Sequence, residues 1–99
     1  MESFGNRIKW LREEQQLPLR TVAAYLDIDQ AILSKIEHGH RQASREQVLL
    51  LAKFFKTNEK ELLVTWLIDK LADEIQGEEL AKQALKAAEK KVNDLKKRK

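Results

Sequence analysis

The sequence predicts an all-α protein, and three observations carry that expectation. Charged residues make up 35% and hydrophobic residues 42% of 99 positions, with 3 Gly and 1 Pro, the balance of a helical soluble chain and not of a sandwich or barrel. Apolar residues recur at helical spacing along most of the chain. Where the recurrence breaks, residues that start and stop helices stand in place.

Phe4, Ile8 and Leu11 recur at helical spacing with Trp10 beside them, and the pattern stops near Leu17-Pro18, because proline disfavours helical geometry in the residue before it. A first helix therefore covers roughly residues 4–16. The second runs from Leu19 to Leu26, with Val22, Ala23 and Leu26 on one side and Pro18 where a helix tolerates it, in the first turn. Asp27-Ile28-Asp29 interrupts the pattern, and Asp29 is placed to cap a third helix by accepting a bond from a free backbone N–H. That helix runs from about Asp29 to Glu37. Gly39 follows its last turn, where a left-handed cap suits glycine.

Ser44-Arg45-Glu46-Gln47 reads as a capping box ahead of Val48, Leu51, Ala52 and Phe55, the fourth helix. Asn58-Glu59-Lys60-Glu61 repeats the device, and the fifth helix places Leu62, Leu63, Trp66, Leu67, Leu71 and Ile75 on a broad apolar stripe. Trp10 and Trp66 read as core residues from their apolar neighbours. After Gly77, residues 78–97 are rich in Ala, Glu, Lys and Leu, which predicts a sixth helix. The expected organisation is a five-helix domain over residues 1–76 and a helical C-terminal extension over 77–99, ending in a frayed basic tail, Lys96-Lys97-Arg98-Lys99.

At this length there is room for one core and an appended element, and no motif supplies a pocket of convergent polar groups, so no enzyme is expected. The absence of cysteine removes disulfides and thiolate metal sites, leaving the cytoplasm as the default. No apolar run approaches the roughly 20 residues of a membrane span. Met1-Glu2-Ser3-Phe4 lacks the basic and apolar regions of a signal peptide, so no membrane partner is expected. His38-Gly39-His40 invites a metal reading, yet two histidines without a third ligand do not fill a tetrahedral site, and neither metal nor cofactor is expected. Glu13-Glu14, Asp73-Glu74 and Glu78-Glu79 are surface charge, since sequence neighbours point to different sides of a helix.

The net charge is +3, and its distribution says more than its total. Residues 1–57 carry nine Lys/Arg against seven Asp/Glu, residues 58–77 two against five, and residues 78–99 eight against four.

The stretch from Leu17 to Arg41 is the informative one: two short helices joined by three residues. They can cross steeply and share a buried face only if the inward positions are apolar, with a small residue where the backbones approach. Val22, Ala23, Leu26, Ile28, Leu33 and Ile36 meet that demand. Gln30, Ala31, Ser34 and Lys35 are left facing outward on the third helix, a short, mostly polar row without carboxylates that a DNA major groove accepts.

On Ala23, the spacing of Val22, Leu26, Ile28, Leu33 and Ile36, and the ending Ile36-Glu37-His38-Gly39, the sequence resembles the lambda-repressor-like (Cro/cI, XRE) helix-turn-helix family over roughly residues 4–68. The resemblance implies a sequence-specific regulator of transcription on double-stranded DNA, expected to repress and to control its own gene. It implies base contacts from Gln30, Ala31 and Lys35, with Ile32 and Ser34 at the margin. Gln can bond adenine, Lys can reach guanine, and Ala can touch a thymine methyl. Phosphate contacts would fall to Arg20, His38, His40, Arg41 and Arg45, and Arg12 would pair with Glu37 as a structural ion pair. Two positions depart from the family pattern: Pro18 and Leu19 stand where a polar cap and a phosphate-gripping Gln are usual, and Asp27 replaces a turn glycine. Asp is among the few residues that tolerate a positive φ there.

In the sixth helix, Ala81, Leu85, Ala88, Val92 and Leu95 alternate spacings of four and three, a thin coiled-coil seam. Such a helix needs a surface to dock on. The expectation is a homodimer contact shared by the fifth and sixth helices, with Trp66, Leu67, Leu85 and Val92 as candidates, on a palindromic operator. The alternative is an antitoxin-type interaction module that wraps a small protein partner and binds DNA for autoregulation.

Overall fold

The computed structural model describes residues 2–97, so Met1, Arg98 and Lys99, which the leader and tail readings include, lie outside the described residues. Six helices follow in order: α1 (Phe4–Glu14), α2 (Leu19–Leu26), α3 (Gln30–Glu37), α4 (Arg45–Phe55), α5 (Glu59–Ile75) and α6 (Ala81–Lys97). There is no strand among the described residues.

Local chemistry sets most of the boundaries. Ser3 Oγ accepts from the Asn6 N–H at 3.1 Å to start α1, and the neighbouring Phe4 N–H donates to the Asp69 carboxylate of α5 at 2.8 Å. A helix N-terminus leaves such donors unsatisfied, so Asp69 caps α1 from 65 positions away. α1 ends two residues short of expectation. Gln16 turns left-handed (φ 55), and its N–H and that of Leu17 bond back to Glu13 and Arg12, an overlapping pair that closes a helix. Pro18 occupies the extended position ahead of α2 and not its first turn.

Asp27 adopts φ 58, ψ 46, the left-handed geometry the tight turn needs. Asp29 stands at the cap position of α3, but its side chain makes no capping bond. The exposed start of α3 is held by backbone instead, with the Asp29 carbonyl accepting from Ile32 at 3.0 Å and Leu33 at 3.2 Å. At the other end Gly39, at φ 77, allows its own N–H to reach Ile36 O and the His40 N–H to reach Lys35 O. Ser44 and Gln47 form the complete reciprocal capping box ahead of α4, and Asn58 accepts from the Glu61 N–H ahead of α5.

The core runs from Phe4 to Trp66 and draws on α1 through α5. Ile8, Val22, Leu33, Val48 and Leu51 are its most completely enclosed large side chains, each contributing about 1.5–3 kcal/mol by leaving water. The apolar residues of α1 and α5 depart from expectation at two places. Trp10 is exposed, its ring under the Arg7 guanidinium at 4.9 Å, because it lies two positions, about 200° of helical rotation, beyond the buried Ile8. The apolar residues of α5 do not form one stripe either: Leu62 and Trp66 are buried, while Val64, Leu67, Ile68 and Leu71 are exposed.

Candidate functional site

At about 100° per residue, the eight residues of α3 divide into two arcs. Leu33, Ile36 and Glu37 are buried and Ile32 half-buried on the inner one, while Gln30, Ala31 and Lys35 are exposed and Ser34 half-buried on the outer one. Glu37, the one carboxylate within α3, is turned inward. The outer arc therefore offers an amide, a methyl, a hydroxyl and an ammonium along a helix of 8 residues.

Three features hold that arc in position. Ala23 is 2% exposed, and its carbonyl accepts from the Ile28 N–H at 3.0 Å, closing α2 into the turn that leads to α3. Gly5 in α1 lies against the end of α3 so closely that an added Cβ would overlap the carbonyl oxygens of Glu37 and Ile36. Arg12 then bridges the two helices through its side chain. Its Nε donates to Glu37 Oε2 at 2.7 Å, its Nη2 to Oε1 at 3.0 Å and its Nη1 to the Leu17 carbonyl at 2.9 Å.

A buried carboxylate is costly unless it is paired and hydrogen-bonded, and this fork meets both needs. The hydrogen bond to Glu37 raises the Arg12 pKa above the ordinary arginine value, against the opposing effect of burial. A raised folded-state pKa contributes stability that is complete below the unfolded-state value and is lost only as pH climbs through the folded one. For Arg12 that window lies in strong alkali, so the guanidinium stays charged through the neutral range.

The candidate phosphate-contact residues Arg20, His38, His40, Arg41 and Arg45 are all exposed, on α2, in the segment after α3 and at the start of α4. His38 Nδ1 lies 2.7 Å from the Ser34 carbonyl oxygen. A carbonyl can only accept, so Nδ1 is the donor in this contact. The His38 and His40 rings stack with centroids 6.2 Å apart. No cluster of three metal-ligating side chains occurs among the described residues. Asp27 and Asp29 flank the turn, Asp27 and Asp29 both exposed, so the surface around α3 is mixed and not uniformly cationic.

Of the four candidate subunit contacts, Trp66 belongs elsewhere. It is 6% exposed, and its indole Nε1 donates to the Ala43 carbonyl at 2.8 Å, which ties the segment after α3 to α5. Its wide apolar ring fills the core that α5 covers. Leu67, Leu85 and Val92 are exposed. Sequence reasoning passed over Gly5, Asp69 and the Trp66–Ala43 bond. A glycine inside a helix does carry a signal, since it costs stability unless a backbone must come close.

The helix-turn-helix family model matches residues 8–62. Among curated proteins, the chain is 44% identical over 41 residues to the HTH-type transcriptional repressor RghR of Bacillus subtilis (strain 168). That alignment covers 41% of this chain and 30% of the relative, so the chain spans under a third of the length of the repressor it matches. No solved structure matches.

Proposed function

Because the chain belongs to the lambda-repressor-like helix-turn-helix family of DNA-binding transcription regulators, we propose that it works as a dimeric repressor of a palindromic operator, with α3 laid in the major groove. The observation that carries this reading is the outer arc of α3. Its Gln30, Ala31 and Lys35 are exposed, it is free of carboxylates, and it is held against the core by Gly5 and the Arg12–Glu37 fork. Gln30, Ala31 and Lys35 read base edges with Ser34 at the margin, through an amide on adenine, a methyl on thymine and an ammonium on guanine. Arg20, Arg41, Arg45 and the two histidines meet phosphates and fix the register without reading sequence. Residues 1–76 form the DNA-binding unit and residues 77–99 the extension that serves dimerisation.

In a symmetric dimer the two copies of α3 enter successive major grooves about 34 Å apart, close to 10 base pairs. With three or four phosphates engaged per half-site, affinity falls by about 10³–10⁵-fold between about 50 and 200 mM salt. Repression follows from occupancy of the site that polymerase needs. The experiment is titration of a duplex selected from a random pool, with the mass of the complex measured. Two chains on an inverted repeat support the reading, and binding indifferent to sequence rejects it.

A further inference from the structure

α5 has apolar side chains on two opposite sides. Leu62 and Trp66 enter the core, while Val64 and Leu71, 54% and 56% exposed, stand with Leu67 and Ile68 on the other side. At about 1.5 Å per residue that outer stripe extends roughly 16 Å to Ile75. α6 buries no residue among those described, and its seam of Leu85, Val92 and Leu95 is exposed. The radius of gyration, 15.6 Å, exceeds the about 13 Å of a compact chain this long, as a projecting α6 requires. A lone helix of 17 residues is little longer than the about 12–15 below which isolated helices are marginal in water, and most helical stability comes from packing an apolar face. One chain thus displays two uncovered apolar stripes of comparable length.

Charge decides which stripe covers which. α6 carries six Lys against one Glu and one Asp, and Lys82, Lys91 and Lys96 flank its seam with Glu89 on the helical wheel. Two copies of α6 laid together would set lysine against lysine, which destabilises a seam. α5 carries five carboxylates against two lysines. Of these, Asp69 and Asp73 are engaged with the Phe4 N–H and Gln42, while Glu61 and Glu74 border the outer stripe against one lysine, Lys60, a turn ahead of Val64. The basic helix therefore complements the acidic one better than it complements itself.

We infer that α6 of each copy lies on the outer stripe of α5 in a second copy of this chain, so that the dimer is closed by two reciprocal helix exchanges through the Gly77 joint. The inference rests on the dimeric reading above and names its interface. In the chain, α6 departs from its own α5 at Gly77 (φ +81) with its seam open, free to reach a neighbour. Symmetry repeats the exchange, so each one needs to bury only half of the roughly 1,000 Å² that a specific interface requires.

Two full-length variants test it: Leu67→Gln/Leu71→Gln, which spoils the accepting stripe, and Leu85→Gln/Val92→Gln, which spoils the donated seam. All four positions are exposed, and circular dichroism checks that helix content is kept. By sedimentation, wild type is expected as a dimer and each variant alone as a monomer or a dimer at least about tenfold weaker, a difference of about 1.4 kcal/mol. The equimolar mixture is expected to form a one-to-one heterodimer, weaker than the wild-type dimer but tighter than either variant with itself, because one of its two exchanges, the first variant's α6 on the second's α5, is intact. A first variant that dimerises alone points to α6 pairing with α6, a second that does so points to α5 pairing with α5, and a monomeric wild type points to α6 folded on its own α5. Each of these, or a mixture without heterodimer, overturns the inference. Binding of a half-site duplex by either monomeric variant keeps the regulator reading alive whatever the subunit result.

Discussion

Arg12 and Glu37, 25 positions apart, meet as a two-pronged ion pair at 2.7 and 3.0 Å, with the Glu37 side chain 1% exposed. The pair joins the first helix to the last turn of α3, so removing it loosens the arc proposed to read DNA. The two truncations are not equivalent. Arg12→Ala leaves a carboxylate buried without a partner and is expected to cost about 3–5 kcal/mol. Glu37→Ala leaves a guanidinium that keeps the Leu17 carbonyl and some water, and should cost less. Urea denaturation of both single variants and the double variant checks this, with the double variant costing less than the sum of the singles.

Gly5→Ala is expected to cost about 1–3 kcal/mol, because its methyl group meets backbone oxygens that no rotamer change can move. Gly39→Ala has open space around it, so its cost is purely conformational at φ +77, about 1–2 kcal/mol. Replacing Gly39 by Asn, which tolerates that region, should recover part of the deficit, whereas no side chain at Gly5 should. Thermal denaturation of the three variants separates clash from strain.

Trp66→Phe keeps most of the buried ring and deletes the donor to the Ala43 carbonyl. Leaving that acceptor unsatisfied is expected to cost about 1–3 kcal/mol. Hydrogen exchange should quicken around residues 40–44, the segment this bond secures, and leave α2 unchanged.

Arg41→Ala is expected to weaken binding to all duplexes alike and to lower the slope of log affinity against log salt by about 1, as when the protein neutralises one phosphate fewer. Fluorescence anisotropy across a salt series on a selected and a scrambled duplex reads both effects. A change in base preference would move Arg41 to the base-reading set.

Most of this architecture is legible in the sequence because its punctuation is local. Ser44 with Gln47, Asn58 before Glu61, and Gly39 after Glu37 mark helix ends through bonds spanning at most five residues. The outer arc of α3 is legible for a related reason: once Leu33 and Ile36 are assigned inward by their spacing, Gln30, Ala31 and Lys35 have only one side left. Asp69 capping Phe4 is not legible, since nothing in either neighbourhood announces a partner 65 residues away. α5 misleads because a helix apolar on two sides has the composition of one with a single broad stripe. Trp10 misleads because an aromatic among apolar neighbours suggests burial, while its angular position places it outside.

Whether the outer arc of α3 reads base edges is decided by parallel selection of duplexes from one random pool by wild type and by Lys35→Ala. Wild type is expected to enrich an inverted repeat with half-site centres about 10 base pairs apart. The variant should enrich the same repeat with no preference at one position in each half-site, a discrimination of about 1–3 kcal/mol, while its thermal stability is unchanged. The same motif with undiminished preference at every position, or no motif from wild type, would contradict the account.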